Sequence, residues 1–264
     1  MKRTVILLGL PALILLTEPA AAAGARSCTA GSGPGTVALL ELYTSEGCSS
    51  CPPAERWLNS LAPGGLAPGR VVPLALHVDY WNHLGWRDPF AQKRFTERQV
   101  TYKTFAGARG VYTPQMFVNG REYLGWHRRE DLVRALQPIN RETGRAAIQL
   151  RLTKPDPGAL DVTAGVTLRD QREPGRLGVY LALTENRLAS RVTAGENRGE
   201  HLQHDHVVRV LEGPRPVNPD GRVTVRHRFA VAGGWKAENL GVVVFVQDRA
   251  SGEVLQTLAL ANCR

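Results

Sequence analysis

The chain has 264 residues, 43% of them apolar, and a formal charge of +9 at pH 7. That length and apolar content exclude a disordered chain and leave room for two modest domains or one large one. The charge is almost all arginine, spread along the sequence with no long basic run and no interleaved aromatics, so no nucleic-acid partner is expected.

In chain order, Met1-Lys2-Arg3 is a positive start, residues 4–17 form an apolar stretch interrupted by Pro11, and Ala20 to Ala23 offer small residues for cleavage. This pattern predicts a signal peptide over 1–23 and a periplasmic or secreted protein. The stretch is short for a membrane span of about 20 residues, and no other segment is long enough to cross, so no span is expected after cleavage.

Residues 28–145 alternate strand and helix signals. Residues 37–43 are a near-continuous apolar run, as in a strand covered on both faces. Cys48-Ser49-Ser50-Cys51 follows, and Pro52-Pro53-Ala54-Glu55-Arg56-Trp57-Leu58 reads as a helix start. Residues 71–78 predict a second buried strand. Asp88-Pro89 signals another helix start with Asp88 as N-cap, after which Phe90, Arg94, Phe95, Arg98, Gln99 and Tyr102 recur at helical spacing. Pro114 opens a short strand over 115–118, Asn119-Gly120 is a type I′ hairpin signal, and 128–136 reads as a closing helix.

The texture changes at about residue 146. Residues 147–152, 160–164, 178–183 and 223–229 alternate, and 242–246 and 254–258 complete a set of short strands. Turn signals separate them at Pro155-Asp156-Pro157-Gly158 and Asn218-Pro219-Asp220-Gly221. These residues predict an all-β antiparallel sandwich over 146–264, following an α/β domain over 28–145.

The chemistry centres on four cysteines. Cys48 and Cys51 are the natural pair. A C-x-x-C at a strand-to-helix junction puts Cys48, the expected nucleophile, exposed near a helix N-terminus whose partial positive charge stabilises a thiolate. Cys51 then resolves the mixed disulfide. A structural disulfide, or a thiolate pair for soft copper or zinc, are the alternatives. A Cys28–Cys263 bond would tie the two ends together and close a loop of more than 200 residues, worth about 4–5 kcal/mol in the chain-entropy model. Free thiols or an intermolecular link are the other possibilities for these two.

His77 and Asp79 fall two apart at the end of a strand and read first as a core histidine held by the aspartate, second as a tuner of the dithiol or a metal ligand. Tyr80, Trp81 and Trp86 line a substrate groove or pack the helical insert. His204 and His206, with His201 nearby, would share a strand face; a structural role is the first reading and a metal pair the second.

The order strand, C-x-x-C helix, strand, helical insert, Thr-Pro, hairpin, helix resembles the thioredoxin fold over about residues 36–137. More narrowly, several strings are similar to a family of exported bacterial thioredoxin-like proteins catalogued as a domain of unknown function, number 1223. They are Glu41-Leu42-Tyr43-Thr44-Ser45-Glu46-Gly47-Cys48-Ser49-Ser50-Cys51-Pro52-Pro53-Ala54, His77-Val78-Asp79-Tyr80-Trp81 with Leu84-Gly85-Trp86, Arg98-Gln99, and Val111-Tyr112-Thr113-Pro114-Gln115.

The thioredoxin resemblance implies that Pro114 is a cis-proline beside the dithiol and that Thr113 presents its backbone to substrate. It implies that Glu41 is a buried proton relay for Cys51; an exposed strand-end residue paired with an arginine is the competing reading. Gly47 departs from the aromatic usual before the first cysteine, and Ser49-Ser50 from the usual intervening pairs.

The resulting expectation is an α/β thioredoxin-like domain followed by a β-sandwich. Its activity would be thiol–disulfide exchange through Cys48 and Cys51, assisted by Thr113, Pro114 and Glu41, with Tyr80, Trp81 and Trp86 at the substrate. Its partners would be thiols or disulfides of exported proteins and a redox partner protein, with no cofactor and no metal. The alternative is a non-enzymatic binding protein or copper metallochaperone using the same dithiol.

Overall fold

A computed structural model describes residues 26–61, 69–156, 158–169 and 174–263. The predicted signal peptide over 1–23 lies outside the described residues.

The first half runs β1 (Arg26–Gly31), β2 (Ala38–Thr44), α1 (Cys51–Asn59), β3 (Val71–His77), α2 (Lys93–Ala106), β4 (Gln115–Val118), β5 (Arg121–Glu122) and α3 (Arg129–Arg141). The second half is β6 (Ala146–Asp156), β7 (Ala159–Leu168), β8 (Leu177–Glu185), β9 (Leu188–Arg191), β10 (His201–His204), β11 (Val207–Pro216), β12 (Arg222–Ala230), β13 (Leu240–Asp248) and β14 (Val254–Ala261).

The expected α/β thioredoxin-like domain followed by a separate antiparallel sandwich is not what forms. The chain is mainly β, with three α-helices among the described residues, and strands of both halves build one eight-stranded mixed sheet in the order β14-β13-β8-β11-β3-β2-β4-β5. The join is β11, which pairs antiparallel with β8 and parallel with β3 through Val207 opposite Ala75. The Ala75 N–H donates to the His206 carbonyl at 2.9 Å. Hydrophobic alternation tells which face of a strand is buried but not which strand lies beside it, so the shared sheet had no local signature.

A four-stranded antiparallel sheet, β1-β6-β7-β12, packs on the β8–β13–β14 end of the large sheet. Ile148, Leu150, Val162, Leu181 and Val244 fill the space between them. Cys28 on β1 and Cys263 after β14 form a disulfide that ties these layers at their rim.

At the other end β2 is buried along all seven residues, because α1 and α3 cover one face and α2 the other. Leu40 and Leu42 point to the first face, Leu39 and Tyr43 to the second. Each such leucine contributes about 1.5–3 kcal/mol by leaving water. Asn119 and Gly120 both take positive φ, 47° and 82°, as the hairpin signal requires. A Cβ at Gly120 would run into the Gly252 carbonyl.

Candidate functional site

β2 delivers the chain into the turn Ser45-Glu46-Gly47, and Cys48 follows. The Cys48 N–H donates to the Ser45 carbonyl at 3.2 Å, and the Cys51 N–H donates to the Cys48 carbonyl at 3.1 Å. These bonds curl the chain so that Cys48 and Cys51 close a disulfide across the entrance of α1. Pro52 and Pro53 sit in the first turn of the helix, where a missing N–H costs nothing.

The Cys48 Sγ lies 3.8 Å from the Thr113 carbonyl oxygen and 3.3 Å from the Ser50 Oγ. The Thr113–Pro114 peptide is cis. Trp81 donates its indole N–H to the Thr113 Oγ1 at 2.8 Å, which fixes that residue against the cysteines.

Sequence placed Cys48 at an exposed helix entrance. Instead both sulfur residues are 0% exposed, while Ser49 and Ser50 between them face solvent. The connection between β9 and β10 is pinned to this turn. One Glu196 carboxylate oxygen accepts from the Ser49 N–H at 3.0 Å and the Ser49 hydroxyl at 2.7 Å. Asn197 donates its amide to the carbonyls of Glu46 and Cys48 at 2.8 and 2.9 Å.

Behind the disulfide lies a buried cluster of ionisable side chains. Glu55 stands one helical turn beyond Cys51, His77 ends β3, and His204 ends β10. Glu46 and Asp88 come from turns, and all five are buried. His204 Nδ1 contacts Glu55 Oε2, and its Nε2 lies 3.0 Å from Glu46 Oε1. His77 Nδ1 lies 2.7 Å from Asp88 Oδ2. Thr44 donates to the other Glu55 oxygen at 2.6 Å, and Trp86 donates to the other Glu46 oxygen at 2.8 Å.

The pairing sets the charges. Burial pushes the Glu55 carboxyl up, but the hydrogen bond and charge of His204, with help from His77 and Thr44, hold it below the ordinary value. Burial raises Asp88 too, and His77 together with the Glu46 and Phe90 N–H groups outweighs it. Burial alone would lower His204, but Glu46 and Glu55 push it up to about 10.

The predicted residues divide by location. Thr113 and Trp81 are at the disulfide, and Trp86 is on the carboxylate cluster. Tyr80 packs into the core on the α2 side. Glu41, expected to relay protons to Cys51, projects from the opposite face of β2 and pairs with Arg98 Nε at 2.7 Å, beside Tyr102 and Gln247. The alternation along β2 decides this: Leu40, Leu42 and Thr44 face α1, so Glu41 cannot.

His77 is held by Asp88 rather than Asp79, because β3 ends at His77 and alternation stops there. Asp79 accepts instead from the Thr96 hydroxyl at 2.6 Å. Asp88 does not cap α2, whose N-cap is Gln92; its carboxylate takes the Phe90 and Glu46 N–H groups. His206 leaves the face of His204, since β10 ends at His204 and His206 turns back with φ 61°. Glu46, Glu55, Glu196 and Asn197 carried no assignment from sequence. Only Glu55 had a local signal, the i to i+4 spacing from Cys51.

A family model described as "Protein of unknown function (DUF1223)" matches residues 39–247. The chain belongs to this family. The DUF1223 match takes in the cysteine motif and every residue of the buried cluster, and its description assigns no activity. Comparison with curated proteins finds no match.

Among solved structures, a protein of Agrobacterium tumefaciens is similar at 26% identity and a TM-score of 0.62, over 87% of this chain and 96% of that one. HBP35 of Porphyromonas gingivalis shares the fold at 16% identity and a TM-score of 0.66, over 88% of this chain and 76% of that one.

Proposed function

We propose that this DUF1223 protein is an exported thiol–disulfide oxidoreductase acting through Cys48 and Cys51 on exported proteins. The observation that carries the reading is the disulfide closed across the N-terminal turn of α1, with the Thr113 carbonyl 3.8 Å from Cys48 Sγ. The two disulfides also favour an oxidising compartment. Among the described residues no helix is long and apolar enough to cross a membrane.

A substrate thiolate attacks Cys48 Sγ, the bond to Cys51 breaks, and Cys51 leaves as a thiolate that takes up a proton. A second substrate thiolate then attacks the substrate sulfur of the mixed disulfide, forming the substrate disulfide and releasing Cys48 as a thiolate that takes up a proton. The substrate is oxidised by two electrons and the dithiol reduced by two, and the reverse sequence reduces a substrate disulfide. The α1 N-terminus favours the thiolate at each stage. Attack needs a path to the buried sulfur, and opening of the Glu196–Asn197 segment, which is pinned to the same turn, is the route this reading supplies.

A second reading, a binding protein with a purely structural disulfide, is favoured by the complete burial of both sulfurs. Redox equilibration of the folded protein, followed by alkylation and peptide mapping, separates the two. The Cys48–Cys51 pair is expected to reduce above about −300 mV, the limit typical of structural disulfides. The Cys51→Ser chain is expected to form a mixed disulfide at Cys48 with a thiol-bearing protein. A pair that reduces only below that potential, or only on unfolding, overturns the oxidoreductase.

A further inference from the structure

The geometry points to a zinc-type divalent cation site formed by Glu55, His77 and His204, independent of the cysteine sulfurs. One ligand atom from each of these residues lies within 4.8 Å of the other two, and all three residues are buried. Around a tetrahedral ion with bonds of about 2.0–2.2 Å the same atoms would stand roughly 3.3 Å apart. The site therefore closes on an ion by small side-chain shifts.

Three observations support a cation here. First, His77 Nε2 is buried and has no hydrogen-bond partner among the described residues. An orphaned buried polar atom costs stability unless something binds it. Second, both imidazoles are backed by carboxylates, the arrangement that orients histidine ligands on metals. His77 Nδ1 meets Asp88, and His204 Nε2 meets Glu46. That leaves His77 Nε2 free for the ion, and His204 Nδ1 becomes a ligand once the ion displaces the proton it shares with Glu55.

Third, the backing carboxylates are themselves fixed. The Glu46 and Phe90 N–H groups hold Asp88 at 2.9 and 2.8 Å, and the Trp86 indole holds Glu46. The Phe90 ring packs edge-on against both imidazoles, at 5.3 and 5.4 Å, and closes one side.

Two nitrogens and one carboxylate select zinc, or cobalt as its spectroscopic stand-in, over magnesium and calcium, which want oxygen ligands. Three protein ligands leave a fourth position for water. The proton that His204 shares with Glu55 goes to solvent when the ion takes its place.

The test is equilibrium dialysis of the full mature chain with Zn²⁺, metal analysis, and the visible spectrum of the Co²⁺ form. One equivalent is expected, with the intense visible bands of a tetrahedral Co²⁺ site. The Cys48→Ser/Cys51→Ser chain should bind equally, because no sulfur is a ligand. His77→Ala should abolish binding. Should that variant fail to fold, Asp88→Asn keeps the test alive: removing the carboxylate behind His77 should weaken binding about 10–100-fold.

Failure of the wild-type chain to bind overturns the site. So does binding that survives the His77 and Asp88 changes, or binding lost in the double cysteine variant. None of these results bears on the redox potential, so this site and the oxidoreductase reading stand or fall separately.

Discussion

Asn197 donates both hydrogens of its side-chain amide into the C-x-x-C turn, to the carbonyls of Glu46 and Cys48 at 2.8 and 2.9 Å. This residue lies 149 positions from Cys48 along the chain. It is the buried clamp that holds the β9–β10 connection against the C-x-x-C turn. Asn197→Ala leaves two carbonyls without that donor, a loss of about 1–3 kcal/mol. Since 1.4 kcal/mol is tenfold in an equilibrium, the open form should become roughly 5- to 150-fold more populated. Reduction of Cys48–Cys51 by dithiothreitol under native conditions should accelerate by that factor, followed by alkylation and mass mapping. An unchanged rate would mean that reductant reaches the sulfur by another route.

Glu41 separates stability from redox chemistry. It is buried against Arg98 on the far face of β2. Glu41→Ala strands a buried guanidinium, which typically costs about 3–5 kcal/mol. The melting temperature should fall sharply, while the reduction potential of Cys48–Cys51 stays where it was. A potential or pH–rate profile that moved with Glu41 would restore its candidacy as a proton relay.

The local elements were legible because local chemistry dictates them. The apolar run of β2, the prolines opening α1 and the Asn119-Gly120 turn each carry their own signal. The cysteine pairing was partly legible, since Cys48 and Cys51 are three apart and can scarcely avoid each other. The site was not. His204, Glu46, Glu55, His77 and Asp88 sit on segments that meet only because β11 docks beside β3 and brings the β9–β10 hairpin down on α1. His204 and His206 show the limit well: alternation would put them on one face, but the strand ends between them. A period-two argument holds only while the strand lasts.

Asp248 gives a prediction in pH. It is buried at the end of β13, where it accepts from the Ala250 and Ser251 N–H groups and pairs with Arg176 at 2.8 Å. Burial pushes its carboxyl up, but those donors outweigh burial and hold it below its ordinary value of 3.8. A carboxyl depressed on folding binds fewer protons in the native state, so its contribution is complete above the ordinary value and fades as pH falls through the native one. Asp248→Asn should therefore melt lower than wild type at pH 7. The gap should narrow in titrations taken well below pH 3.8. A gap that is constant with pH would assign the loss to packing.

The proposed cation joins three elements: α1 through Glu55, β3 through His77, and β10 through His204. His204 is the last residue of β10, the strand that follows the Glu196–Asn197 segment. An ion bound there anchors the foot of the hairpin whose tip is pinned to the C-x-x-C turn. A ligand that binds the closed form better than the open one shifts the balance toward closed, by a factor set by that preference. Zinc should therefore slow native-state reduction of Cys48–Cys51, and chelation should restore the metal-free rate. Both effects should vanish in His77→Ala, whose rate with zinc is compared with its own metal-free rate. The Cys28–Cys263 bond, at the opposite rim, serves as the internal control: its reduction rate should not respond to zinc. Equal slowing of both bonds would mean that zinc stabilises the whole fold or poisons the reductant, and the coupling between cation and hairpin would be lost.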